Sequence, residues 1–267
     1  MSFKAEFKLE KLKFKHDSIE DFYTLRCCGI PARVLWLIRL VFTLYTIASI
    51  IFSIAFYNDQ KWIVFLTNWG LILSTVYFIT ALAVSGYYIF RNAPEPMTNS
   101  DIPMYTLEKD HQQNPSSGDL NEGRLLPFPI KFLWFWHHIT YGIVTTLIIL
   151  YWTLVRQPKH FSTGDLTFSY INDHGGIFLL LCIDFSFCLI PFRILHVIYT
   201  LVVCILYAVV TVIYNFATDD PVYEGVLDWQ NKAGWGVIYI LGAIVLLFIL
   251  QLIYFGFYRL KLRLKND

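Results

Sequence analysis

Six apolar stretches, at 34–56, 62–90, 131–154, 174–190, 194–217 and 235–258, alternate along the chain with polar connections. Most approach or exceed the roughly 20 residues that a helix needs to cross about 30 Å of hydrocarbon. They lack the period-2 alternation of membrane barrel strands. The pattern predicts an all-α integral membrane protein, a six-transmembrane-helix bundle. The fourth stretch is short and the second long, which predicts tilt or an interfacial start. Aromatic residues gather at the edges of the stretches, among them Tyr57, Trp62, Tyr151, Trp152 and Trp235, and read as interfacial belts.

Lysine and arginine set the expected orientation. With both termini cytoplasmic, sixteen lie inside: seven in the leader through Arg33, four over 91–131, Arg193, and four in the tail. Lys61, Arg156, Lys159 and Lys232 lie outside, and Arg39 falls within the first span. The acidic connection with Asp219, Asp220, Glu224 and Asp228 then faces outward. Composition agrees with a membrane protein: 56% of the 267 residues are hydrophobic and 15% charged, against about 25% charged in a soluble domain. A formal charge of +1 gives no reason to expect nucleic acid as a partner.

Three parts follow. Residues 1–33 form a basic cytoplasmic leader, 34–258 the transmembrane domain, and 259–267 a basic cytoplasmic tail. The loop 91–130, rich in Pro, Ser, Asn, Asp and Glu, is expected to be disordered. The leader mixes Phe3, Phe7, Leu9, Leu12 and Phe14 with five lysines, which suits adhesion to an anionic leaflet or a solvated arm. No cleavable signal peptide is visible. No disulfide framework is expected, and the adjacent Cys27 and Cys28 are candidates for palmitoylation. The endoplasmic reticulum and the plasma membrane both remain open as locations.

Depth sorts the polar residues into layers. Thr67 lies five residues inside Trp62 at the outer end of the second span, and His174 opens the fourth. Both therefore occupy the outer leaflet, although 107 positions separate them. A threonine hydroxyl becomes a nucleophile when a neutral imidazole takes its proton. Asn68 or a backbone amide could stabilise an oxyanion, and Asp173 or Asp228 could orient the imidazole. Gly175 and Gly176 permit close approach, and Thr67, Gly70 and Ser74 line one face of a helix. Two readings stand at this point: a reactive pair, or a threonine bonded to its own helix beside an interfacial histidine. Deeper, Arg39, His137, His138 and Asp184 form a buried polar layer, read as a structural ion pair holding spans one, three and four. Asp184 lies about 15 Å beyond His174 along a helix, too far to orient it. No cofactor is expected, because zinc-type spacing, a phosphate loop and a GxSxG elbow are all missing.

The stretches FLTNWG (65–70), HGGIFLLLCIDF (174–185), IPFRILHVIYTLVVCILYAVVTVIYNFA (190–217) and VLDW (226–229) together resemble the rolling stone family. That family groups with the androgen-induced and androgen-dependent multi-pass membrane proteins. The resemblance covers about 34–258. The androgen-induced branch implies hydrolysis of fatty acid esters of hydroxy fatty acids by a threonine nucleophile and a histidine, which correspond to Thr67 and His174. The acid ten residues beyond that histidine corresponds to Asp184. The residues Ile171, Asn172 and Asp173 depart from the pattern, because the hydrolases carry a second histidine just before the first. The implied partner is a membrane lipid substrate. The rolling stone branch implies instead a non-catalytic membrane factor in myoblast fusion or adhesion, acting through the outer acidic connection.

Overall fold

Hydrocarbon offers no partner to a backbone N–H or C=O, so apolar stretches satisfy these groups internally as helices. A computed structural model of the protein describes residues 6–24, 31–57, 61–91, 126–155 and 171–266. Its helices are α1 (Ala32–Tyr57), α2 (Leu66–Arg91), α3 (Phe128–Leu150), α4 (Ile177–Phe187), α5 (Val197–Thr218) and α6 (Ala233–Asn266). The loop expected at 91–130 falls, apart from its ends, outside the described residues, as do Cys27 and Cys28. No strand occurs among the described residues. α2 lies between α1 and α3, and α3 packs in turn on α5 and α6. Large apolar side chains such as Val41, Ile51, Ile213 and Leu241 point outward, as expected where lipid is the solvent. At the α3–α5 contact, a Cβ on Gly142 would lie 2.6 Å from Thr200 Cγ2, so only glycine admits this approach.

Among the described residues, five helical segments are long and apolar enough to cross a membrane. The fourth apolar stretch is different. α4 has 11 residues and reaches about 16 Å. Pro191 disfavours a helical conformation at Ile190, and the chain continues extended from Cys188 to Arg193. Other helices satisfy the carbonyls this leaves open. Lys261 donates to the Phe185 and Cys188 carbonyls at 2.6 and 2.9 Å. Trp134 donates to Pro191 and Gln251 to Arg193, each at 2.6 Å. Irregular backbone persists here because protein surrounds it. The basic tail is a continuation of α6 rather than a separate segment.

The deep polar layer centres on one ion pair. Arg39 Nε donates to Asp184 Oδ1 at 2.9 Å, and both side chains are 0% exposed. Arg39 Nη1 also donates to the Phe22 carbonyl at 3.0 Å and to Ser85, while Tyr77 donates to the other Asp184 oxygen. The pair therefore joins α1, α2 and α4. Sequence reading placed α3 in this tie, but α3 contributes no hydrogen bond to the pair. His137 packs among the rings of Tyr141, Phe192 and Tyr77. His138 Nδ1 lies 3.2 Å from Gln251 Nε2 on α6. α1 also buries Thr43, Thr46, Ser49 and Ser53 on the face of Arg39. Thr43, Thr46 and Ser49 donate to carbonyls of their own helix.

Over residues 6–24 the leader packs against the helices rather than standing away as a solvated arm, while its Phe7 and Leu9 stay exposed. Phe14 packs on His196, Trp134 and Tyr199 with ring centroids 5.0 to 5.6 Å away. Tyr199 donates to the Leu12 carbonyl at 2.9 Å, and Arg193 donates to that of Lys15. Phe22 is fully buried. The Lys11, Leu12 and Lys15 carbonyls thus meet the His196, Tyr199 and Arg193 side chains around the start of α5.

Removing one member of a buried ion pair leaves a charge without a partner, which typically costs about 3–5 kcal/mol. Asp184→Asn is expected to lower the melting temperature of purified protein in detergent by many degrees. Arg39→Met combined with Asp184→Leu should restore much of that loss. A single variant that melts like the wild type would show that the pair does not hold the bundle.

Candidate functional site

Thr67 is the second residue of α2, and its place is set by the turn before it. The turn Trp62–Val64 is fastened by Trp62 donating to Ser53 on α1 at 2.8 Å. Tyr207 on α5 donates to the Val64 carbonyl at 3.0 Å. Asn68 donates its amide to the Trp62 carbonyl at 2.5 Å. Farther along α2, Ser74 donates to the Gly70 carbonyl at 2.8 Å, so the polar face seen in the sequence is partly satisfied within its own helix.

His174 sits on a wide, π-type turn, Asn172–Gly176, that precedes α4. Its backbone, at φ −113° and ψ 15°, departs from helical geometry and kinks the chain. Asn172 holds this kink against α1. Its Oδ1 accepts from the Tyr45 hydroxyl at 2.7 Å, and its Nδ2 donates to Asp173 at 2.9 Å. A Cβ on Gly176 would lie 3.0 Å from Asn172 Oδ1, whereas one on Gly175 would meet nothing within 4 Å. Close approach is therefore needed at Gly176. A second π turn, Tyr151–Val155, ends α3 on the other side of the imidazole. Tyr151 stacks on the His174 ring with centroids 3.4 Å apart and planes 17° apart, and Trp152 donates to the His174 carbonyl at 2.9 Å.

Thr67 Oγ1 and His174 Nε2 lie 3.2 Å apart. Thr67 is the donor when Nε2 carries no proton. This separation is at the outer limit for a nucleophile and its base, and such contacts tighten when substrate binds. The first turn of α2 directs its positive dipole end toward the same place, favouring any negative charge that develops there.

The connection between α5 and α6 supplies a group that sequence reading missed. The Tyr223 hydroxyl accepts the Leu66 N–H at 3.1 Å and reaches Thr67 and Tyr207. Its apolar surroundings raise the phenol above its ordinary value, so it remains a hydrogen-bond donor at neutral pH. Tyr223 gives no signal in the sequence, where its connection stands out only for its acidic residues, and Tyr151 stands among the interfacial aromatics. Thr67, Tyr151, Tyr207 and Tyr223 also border a cleft of about 80 Å³ between α3, α5 and α6. Its walls are nearly all apolar, with Ile143, Leu147, Leu150, Ala243 and Leu247 among them.

The supporting residues expected from the sequence divide. Asp173 lies beside His174 and takes part in the Asn172 network. Asn68 makes its hydrogen bond to Trp62 and none to Thr67 or His174, because the turn before α2 presents a carbonyl within its reach. Asp228 is also turned elsewhere: it accepts from the Asn231 backbone N–H at 3.0 Å and from the Asn231 side chain. These bonds, the backbone one first, hold its carboxyl below the usual range. Asp228 therefore closes the turn before α6 and does not orient His174. Asp184 and Arg39 belong to the separate deep layer with its own partners.

A hydroxyl, an imidazole and a helix N-terminus thus meet beside an apolar cleft, on elements that the sequence resemblance singled out. A family model described as "Protein rolling stone" matches residues 1–267. The chain belongs to the rolling stone family. Protein rolling stone of Drosophila melanogaster is 23% identical over 269 residues, covering 97% of this chain and 90% of that protein. No solved structure matches. In this rolling stone chain, the similarity extends beyond the transmembrane stretches to the leader and the connecting loop.

Asn172 is the residue through which α1 holds the His174 turn. Asn172→Ala should leave the Tyr45 hydroxyl unpartnered, at a typical cost of about 1–3 kcal/mol. Hydrogen exchange across 172–177 in nanodiscs is expected to accelerate by roughly tenfold or more, on the basis that local opening follows local stability. Unchanged protection would mean that the kink holds itself.

Proposed function

We propose that the protein is an intramembrane lipid-ester hydrolase with Thr67 as nucleophile and His174 as general base. The observation that carries this reading is the 3.2 Å contact between their side chains, with Thr67 at the border of an apolar cleft. The acyl chain lies in the cleft between α3, α5 and α6. Thr67 Oγ attacks the ester carbonyl and passes its proton to His174 Nε2. His174 returns that proton to the departing alcohol, and water then releases the acid from Thr67 with His174 again as base. Resemblance to the androgen-induced branch supports fatty acid esters of hydroxy fatty acids as the substrate.

The lysine and arginine distribution supports cytoplasmic termini, with a leader over 1–33, a six-element transmembrane domain over 34–258 and a tail over 259–267. In that orientation the site opens to the lumen of the endoplasmic reticulum or to the outside of the cell. The fusion-factor reading depends on the outer acidic connection as a contact surface. Asp220 pairs with Lys61, and Asp219 accepts from Gln230 at 2.8 Å. These internal bonds favour a structural role for the loop and leave the hydrolase as the better-supported reading.

Purified protein in nanodiscs, given a fatty acid ester of a hydroxy fatty acid, should release free fatty acid measurable by mass spectrometry. Thr67→Ala and His174→Ala are each expected to reduce turnover at least about 10³-fold, since nucleophile and base act as one unit. A fluorophosphonate probe should label the wild type and not Thr67→Ala. Equal turnover and labelling in the Thr67→Ala protein would exclude the mechanism.

A further inference from the structure

A threonine–histidine pair needs a donor for the oxygen that becomes negative when the carbonyl is attacked. Asn68 is held by Trp62 and leaves that position open. We infer that Tyr223 is a catalytic residue whose hydroxyl donates to this oxyanion, an assignment that rests on the hydrolase reading.

Three observations support this role. The first is position. The Tyr223 oxygen lies 3.1 Å from the Leu66 nitrogen, one residue before Thr67, and borders the same cleft. When the Thr67 Oγ–carbon bond forms, the former carbonyl oxygen stands next to Oγ, within reach of a group already beside it.

The second is direction. The Leu66 N–H donates to the Tyr223 oxygen, so the phenol's own proton must point elsewhere. Tyr207 commits its proton to the Val64 carbonyl. The Tyr223 proton is thus left for the Tyr207 oxygen, for Thr67, or for a ligand oxygen that replaces them. A hydroxyl that accepts a hydrogen bond also donates more strongly.

The third is rigidity. Trp229 donates its backbone N–H to Asn215 at 2.7 Å and its indole N–H to Thr211 at 3.1 Å, tying the loop to α5. Val226 and Leu227 donate to the Tyr223 carbonyl, closing a turn that Gly225 permits at φ 74°. Val222 and Leu227 are buried on either side of Tyr223. An oxyanion donor is effective when it is fixed before reaction.

In the balanced step, the Thr67 Oγ–carbon bond forms as the Thr67 proton moves to His174. The carbonyl π pair moves onto oxygen, which accepts the Tyr223 O–H without taking its proton. On collapse the pair returns, the carbon–oxygen bond to the alcohol breaks, and His174 protonates the alcohol.

The test uses full-length protein in nanodiscs. Tyr223→Phe should reduce kcat about 10²-fold with KM changed less than about threefold, the range for loss of one oxyanion donor. A trifluoromethyl ketone lipid, which forms an oxyanion on Thr67, should inhibit Tyr223→Phe about 10²-fold more weakly. Inhibition by free fatty acid, which forms none, should shift less than about threefold. Equal weakening by both inhibitors, or by neither, would overturn the assignment. A fluorinated tyrosine at position 223 keeps the ring shape and tests the role if the phenylalanine variant misfolds. Its more acidic hydroxyl should add a falling basic limb to the pH–rate profile, and a profile matching the wild type would count against Tyr223. Full turnover in Thr67→Ala would defeat the hydrolase reading itself. Loss of turnover there, with Tyr223→Phe like the wild type, would defeat only the Tyr223 assignment.

Discussion

A charge inside hydrocarbon must find an opposite charge within the protein, and the Arg39–Asp184 pair meets that requirement where α1, α2 and α4 converge. The chain bends around this contact. α4 is a short helix, so its Asp184 reaches Arg39 only because extended backbone on one side and a kink on the other fit it into the bundle. Tyr77, Ser85 and the Phe22 carbonyl occupy more of the charged groups' hydrogen-bonding capacity. Without such partners the cost of desolvation would exceed the attraction.

The same requirement governs the end of the bundle that holds Thr67, where it yields a candidate site in place of a structural clasp. The kink at His174, the turn before α2 and the loop bearing Tyr223 are all non-helical, and each exposes groups that a regular helix would hide. Asn172, Asn68 and Tyr207 satisfy most of them. Thr67 meets His174 Nε2 on one side and the Tyr223 hydroxyl on the other, and Thr67 and Tyr223 border an apolar cleft. The wide π turn that carries His174 and the one that ends α3 widen the local backbone, and Tyr151 covers the imidazole. The opposite end is closed differently, by the leader fitted against His196, Trp134 and Tyr199.

Thr67 and His174 were legible in the sequence because a helix converts residue number into depth, and equal depth permits contact. Depth carries no angular information. Asp228 has a suitable depth and a carboxylate, yet it faces Asn231. Asn68 adjoins Thr67 in the chain but lies 100° around the helix from it, which turns it toward Trp62. Tyr223 was hidden for the opposite reason: a loop has no period from which to predict its direction.

The sequence by itself determined that the chain is helical and membrane-embedded, roughly where five long helices begin and end, and which polar residues lie at unusual depth. These follow from local hydrophobicity, which acts over one helix at a time. Only the tertiary structure decided that Arg39 pairs with Asp184 apart from the histidines, that the leader packs against His196, Trp134 and Tyr199, and that Thr67 meets both His174 and Tyr223. Each of these depends on how helices rotate and tilt against one another. That is settled by side-chain packing and by the pairing of buried polar groups between segments far apart in the chain.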